Sequence, residues 1–257
     1  MATETVRSSQ PIAMKHEAYF TPEFFTFFRQ LSKHNNREWF QTHKWRYEQY
    51  VRDPLLTFIE DFRPQLNAIS PHFVASAKPS GGSLLRIYRD MRFRKDQAPY
   101  QTMAAARFPH RAAKERTAPG LYLHLDPAHC FFACGLWHPD ADTRVLVREA
   151  IMRAPAKWKS ATRGKAFQKS WQLSGDSFQR MPPGCDPSHR FATDLKRKDF
   201  IAATYFSEAQ VCSPDFLQRV TRSARAAGPF LEFLTRPLGL AWNPDDRDAP
   251  REVLRVE

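Results

Sequence analysis

At Ser83 the apolar periodicity of the chain changes from about 3.6 to 2, a switch that requires helices and strands to share one fold. On the helical side, Thr21-Pro22-Glu23 places a capping residue, a proline and a carboxylate where a helix begins. Phe24, Phe25, Phe27, Phe28 and Leu31 then form a broad apolar face that ends at His34-Asn35-Asn36. A second helical stretch follows through Trp39, Phe40, Tyr47, Val51, Leu55, Leu56, Ile59 and Phe62, with Pro54 and Pro64 expected to cut it. On the strand side, LLRIYRDMRF, AAARF, LYLHL and CFFACGLW are short alternating runs between turn residues. Asp126-Pro127-Ala128-His129 between the last two predicts an antiparallel hairpin.

Helical spacing returns in ADTRVLVREAIMRAP, with Val145, Ile151 and Met152 as core candidates. It returns again from Ser213-Pro214-Asp215 to about Leu234, where Gly228-Pro229 should break or kink the helix. The stretch GKAFQKSWQLSGDSFQRMPPGCDPSHR gives no assignable period. The 20 prolines are dispersed, which favours many short elements. The expected fold is therefore α+β, with a central antiparallel sheet flanked by N-terminal and C-terminal helices. At 257 residues one core suffices. Residues 1–17 read as a disordered tail, 18–240 as a single domain and 241–257 as a loosely held C-terminal tail.

Four cysteines without a C-x-x-C pair imply no disulfide framework. The polar start of the chain lacks the apolar run of a signal peptide, and no stretch approaches the roughly 18 apolar residues of a membrane span. A cytoplasmic protein is expected. Its net charge of +12 favours an anionic partner over a cation.

That charge is uneven. Between Leu84 and Arg116 nine basic residues face three acidic ones, a net of +6. If Leu85–Phe93 alternates as a strand, Leu85, Ile87, Met91 and Phe93 take one face, and Arg86, Tyr88, Asp90, Arg92 and Arg94 the other. Arg89 then falls on the apolar face, where a guanidinium must find a carboxylate, carbonyls or a ligand, or be re-aimed by a bulge near Asp90. Two readings follow: an internal ion pair that fixes register, or a pocket of guanidinium groups for a phosphate or carboxylate.

LRIYRDMRFRKDQAPYQT resembles the signature R-I-Y-R-D-x-R-F-S-K-D-K-x-P-Y-K of a bacterial and fungal family of uncharacterised proteins, domain-of-unknown-function family 2461. FFTFFRQLSKHNNREWFQTHKWRYEQY, GLYLHLDP, GLWHPD and GDSFQRMPPGCDPSHRFATDLKRKDF are similar to its other blocks, so the resemblance covers roughly residues 20–238. It implies a single intact domain and the importance of Arg86, Arg89, Asp90, Arg92, Lys95, Asp96, Pro99 and Tyr100; it supplies no reaction. The chain departs from the pattern at Arg94, where serine is usual, and at Gln97 and Gln101, where lysine is usual.

The ligand-binding candidates are thus Arg86, Arg89, Asp90, Arg92, Lys95, Asp96 and Tyr100, the last with the two aspartates also offering a base and a proton donor. Carboxylates beside guanidinium groups are weak bases, so the aspartates are more simply read as ion-pair partners. His124, His129, Cys130, Cys134 and His138 cluster in sequence without a usual zinc spacing, so no metal is expected, nor a cofactor, in the absence of phosphate-loop or dinucleotide motifs. The expected function is binding of an anionic small molecule. A nucleic-acid module, with Trp39, Phe40, Trp45, Tyr47 and Tyr50 available for stacking, and a purely architectural Arg/Asp network are the alternatives.

Overall fold

A computed structural model describes residues 18–90, 92 and 98–249. Helix α1, Pro22–Lys33, buries Phe24, Phe25, Phe27, Phe28 and Leu31, the face that its spacing predicts. Asn36 caps α2, Arg37–Tyr47, by accepting the Trp39 N–H at 2.9 Å. A π turn, Glu48–Arg52, joins α2 to α3, Asp53–Asn67. The wider turn gives the Pro54 ring room at the start of α3, so the proline marks a junction without a break. Pro64 lies inside α3 and does not end it, contrary to expectation.

Five strands follow: β1 Ala104–Pro109, β2 Gly120–Leu125, β3 Cys130–Leu136, β4 Gln172–Ser174 and β5 Phe200–Phe206. They form one antiparallel sheet in the order β1-β2-β3-β5-β4. The hairpin expected at Asp126 is present, and Asp126 Oδ1 holds it by accepting the Ala128 and His129 N–H groups, both at 2.6 Å. Neither β4 nor β5 is among the expected strands, although FIAATYF alternates as a strand should. The fold class is α+β.

Helices α4 Ala141–Arg153, α5 Pro155–Arg163, α6 Lys165–Ser170, α7 Ala192–Leu195, α8 Glu208–Val211 and α9 Phe216–Thr235 complete the described elements. On α4 the buried positions are Thr143, Val147, Arg148, Ala150 and Ile151. Val145, expected in the core, is 49% exposed, because Val147 and Ile151 carry the buried stripe and Val145 lies off it. Helix α9 runs through Gly228-Pro229 as one continuous helix, so the break among the two expected outcomes does not occur.

One face of the sheet is the core. Phe62 of α3 meets Phe108 of β1 edge-on at 5.0 Å and Phe132 of β3 at 6.1 Å, while Phe216 of α9 meets Phe206 of β5 at 5.3 Å. Beyond α9 the first residues of the expected loose tail are packed: Ala241 and Trp242 are buried, and Ser70 Oγ donates to the Trp242 carbonyl at 2.7 Å. Burial holds the His110 imidazole below its usual pKa, so its Nε2–H donates to Ala241 O at 2.9 Å while Nδ1 accepts the Ala112 N–H at 3.2 Å. No helix among the described residues is long and apolar enough to cross a membrane.

Candidate functional site

The arginine-rich segment is one arm of an irregular hairpin that extends the sheet beyond β1. Among the described residues it forms two isolated antiparallel bridges, Leu84 with Ala106 and Tyr88 with Tyr100, so the strand expected over Leu85–Phe93 is not continuous across its described part, Leu85–Asp90. Leu85 donates to Ala105 O at 2.9 Å, whereas Gln101 donates to Ile87 O at 2.7 Å. The register therefore slips by two residues between the bridges, as a bulge does. Strict alternation is lost in consequence: Leu84 and Ile87 are both buried although three residues apart.

The candidate residues occupy different environments. Arg86 is exposed, and its side chain has no hydrogen-bond or ion-pair partner among the described residues. Arg89 is half-buried, and its Nη1 donates to Ala98 O at 3.4 Å. Arg92 grips Asp90 with both prongs, Nε to Oδ1 at 3.0 Å and Nη2 to Oδ2 at 2.6 Å. The Arg92 guanidinium, its backbone N–H and the nearby Arg86 charge hold the Asp90 carboxyl below the usual carboxylate range. This makes Asp90 a partner for arginine and a weak base. Lys95 and Asp96, with Met91, Phe93 and Arg94, lie outside the described residues.

Tyr100 is a core residue, 1% exposed, with its ring stacked on Phe40 at 4.0 Å. Burial raises the pKa of its hydroxyl, so the phenol keeps its proton. The backbone of Tyr100 is held on both sides by Asn35: Nδ2 donates to its carbonyl at 2.9 Å, and Oδ1 accepts its N–H at 3.0 Å. The adjacent asparagines of the α1–α2 corner thus divide the labour, Asn36 starting α2 and Asn35 tying the hairpin to it. Asn35→Ala is expected to destabilise the protein by about 2–3 kcal/mol, two hydrogen bonds at roughly 1 kcal/mol each plus the cost of partners left dry. Hydrogen exchange at Tyr100 should accelerate with it, and unchanged protection there would refute the tie.

Sequence reasoning missed a second region. On the sheet face opposite the core, register places His124, Phe131 and Tyr205 in one row and Arg107, Tyr122 and Ala133 in the next. Tyr122 OH lies 3.1 Å from His124 Nδ1, and His124 Nε2 lies 2.8 Å from Asp126 Oδ2. With Asp126 ionised, the chain runs hydroxyl to imidazole to carboxylate, because Nε2–H donates to the acid and leaves Nδ1 to accept from the phenol. Burial first, then the Asp126 charge, raises the pKa of Tyr122, with Arg107 opposing. The clue was the spacing of Y-L-H-L-D, which puts every second residue on one face of a strand. Beyond β3, Trp137 is 73% exposed and His138 has a φ of 48°, unusual for a residue with a side chain. The buried Asp199 secures this corner by accepting the His138 N–H at 2.7 Å and the Asp176 N–H at 3.0 Å.

The aromatic residues first considered for stacking are mostly structural. Phe40 is buried, Trp39 is sandwiched between His34 and His43, and Tyr47 packs on Phe27 and Phe40 with its hydroxyl pushed up to about 12 by burial. Cys130 and Cys134 are core residues, and burial pushes the Cys130 thiol up to about 11. A groove of about 620 Å³ lies between α4, α5 and α9, bordered by Arg153, Lys157, Glu232 and Arg236, and none of the candidate residues lines it.

No curated protein matches the chain. A family model does, over residues 23–233, a span that runs from α1 through the arginine hairpin and the sheet into α9. This protein belongs to the family described as conserved hypothetical protein (DUF2461).

Proposed function

We propose that the arginine hairpin binds an anionic group, a phosphate or carboxylate carried by a small molecule, with Arg86 as its first contact. The observation that carries this reading is that Arg86 stands exposed, without a partner among the described residues, in a segment of net charge +6. An exposed guanidinium is a ready bidentate donor for an oxyanion. The Asp90–Arg92 pair beside it is largely solvent-exposed, at 77% for the arginine and 40% for the aspartate, and exposed ion pairs are held weakly enough to rearrange around a ligand. Lys95 would complete the set. No reaction is proposed, since Asp90 is spoken for by arginine and Tyr100 is buried. A cytoplasmic location accords with four free cysteines, two of them buried.

Thermal-shift measurements with inorganic pyrophosphate, phosphorylated metabolites and dicarboxylates test the reading, because a ligand selective for the folded state raises its stability. At a concentration about 100 times its dissociation constant, a ligand adds roughly 2.7 kcal/mol. Arg86→Gln should abolish the shift and leave the unliganded midpoint unchanged. A shift that survives Arg86→Gln, or no shift with any anion, removes the proposal.

A further inference from the structure

Buried positive charge is neutralised unevenly in this protein. Asp194 answers Arg163 and Arg197, but Arg148, only 6% exposed, has no carboxylate partner among the described residues. Its Nε and Nη2 donate to the Leu195 and Arg197 carbonyls at 2.7 and 2.9 Å, and its Nη1 has no partner among the described residues. Two more cations stand near it. Arg148, Arg144 and Lys198 Nζ lie 5.5, 5.8 and 5.2 Å from the centre of the Phe178 ring. Arg144, half-buried one turn before Arg148 on α4, donates to the Pro139 carbonyl. Lys198 is also half-buried, and its ammonium has no hydrogen bond or ion pair among the described residues.

The backbone gathers these groups from remote segments: the Phe178 N–H donates to Lys196 O at 2.7 Å and the Lys198 N–H to Asp176 O at 2.8 Å. The acids of the same segments leave the cluster uncompensated. Asp140 is spent on Thr117 and the Thr143 N–H, and Asp199 on the His138 and Asp176 N–H groups. The Asp176 carboxylate forms no ion pair among the described residues. The Cys185 thiol also acts on Arg148, but burial pushes its pKa up and keeps it neutral.

We infer that this corner, where α4, the Phe178 segment and the turn before β5 meet, binds the phosphate group of a small phosphate monoester. Arg144 and Arg148, four residues apart on one helix, repel each other, and Lys198 adds a third like charge. The face of the Phe178 ring attracts each cation without neutralising any. A buried guanidinium without a counter-charge is costly, and an outside anion supplies what the protein withholds. A carboxylate would bring one charge, whereas a phosphate monoester brings about −1.5 to −2 at pH 7 and three acceptor oxygens, a closer match to three cations. Guanidinium groups take such oxygens two at a time. With Arg148 buried and the other two half-buried, the charges are recessed, which suits a small ion better than the face of a polymer. Phe178, 36% exposed, offers its ring to the organic part of the ligand. The site shares no residue with the arginine hairpin and does not rest on the reading of Arg86.

Isothermal titration calorimetry of the full chain with phenyl phosphate, at an ionic strength held constant with chloride, tests the inference. The titrations are made in the Arg86→Gln variant, so that the hairpin contributes nothing. Phenyl phosphate should bind at least about 10-fold more tightly than benzoate, and Arg144→Gln and Lys198→Gln should each weaken it about 10-fold. Lys33→Gln, which removes the same charge from α1, should leave the affinity unchanged. Without ligand, Lys198→Gln should melt no lower than its parent, because the loss of one of three like charges relieves repulsion. No binding of phenyl phosphate, equal affinity for benzoate, or an affinity that survives both Arg144→Gln and Lys198→Gln overturns the inference. So does an equal loss in Lys33→Gln, which would reduce the binding to net charge. A lowered melting midpoint for Lys198→Gln at unchanged affinity would make the cluster a structural brace and also refute the site.

Discussion

Asp194→Ala should lower the unfolding free energy by about 3–5 kcal/mol. The Asp194 side chain is 3% exposed and serves three partners. Trp158 Nε1 donates to Oδ2 at 2.8 Å, Arg163 Nη2 to the same oxygen at 2.8 Å, and Arg197 Nε to Oδ1 at 3.3 Å. Without the carboxylate, Arg163, 37% exposed, can turn to water. Arg197, only 14% exposed, and the fully buried Trp158 indole cannot. What is lost is therefore less the attraction itself than the neutralisation of groups already stripped of water. Asp194→Asn keeps an acceptor for the indole and should cost less than the alanine. Urea denaturation of the two variants decides the matter: a loss under about 1 kcal/mol for the alanine would mean that Arg197 escapes to solvent and the cluster is dispensable.

Gly135→Ala should destabilise by about 3 kcal/mol or more, through the backbone alone. Gly135 lies in β3 opposite Ile201 with φ of 119°, a region that side chains rarely enter. A Cβ there would stand 2.1 Å from the Phe200 carbonyl oxygen and 3.0 Å from the Ile201 Cα. Neither neighbour can withdraw without parting β3 from β5, the pairing at the centre of the sheet. Gly184 is the natural control. Its φ is also positive, at 76°, but nothing lies within 4 Å of its Cβ position, so Gly184→Ala should cost only the conformational penalty of about 1–2 kcal/mol. Similar melting midpoints for the two variants would show that the close approach at Gly135 relaxes easily.

Helix α1 and the β2–β3 hairpin were legible because their signals are local. Helix α1 begins at Thr21-Pro22 and stops before the asparagines, and the β2–β3 hairpin closes at Asp126, all within a few residues of the letters that announce them. Proline was read too strongly. Pro64 and Pro229 each remove one hydrogen bond, yet packed helices keep their course because their apolar faces remain docked on the sheet and on one another. Strand β5 was overlooked because it lies beyond a long turn-rich stretch, and only its pairing with both β3 and β4 makes it central. On the hairpin, the two-residue slip that limits the strand was not foreseen from alternation.

The sequence by itself determined the helices and strands of α1–α4, β1–β3 and α9, the concentration of positive charge between Leu84 and Arg116, and which of their faces seek the core, since periodicity and charge are properties of neighbouring residues. Only the tertiary structure decided how polar groups are partnered. Asp194 finds Trp158 across 36 residues, Asn35 finds Tyr100 across 65, and His138 finds Asp199 across 61. It also decided that Arg92 is engaged by Asp90 while Arg86 stands open, and that Tyr122, His124 and Asp126 join on one sheet face. Hydrophobic burial is non-directional and can be read from composition along a face, whereas hydrogen bonds and ion pairs require an angle and a distance that exist only once remote segments have met.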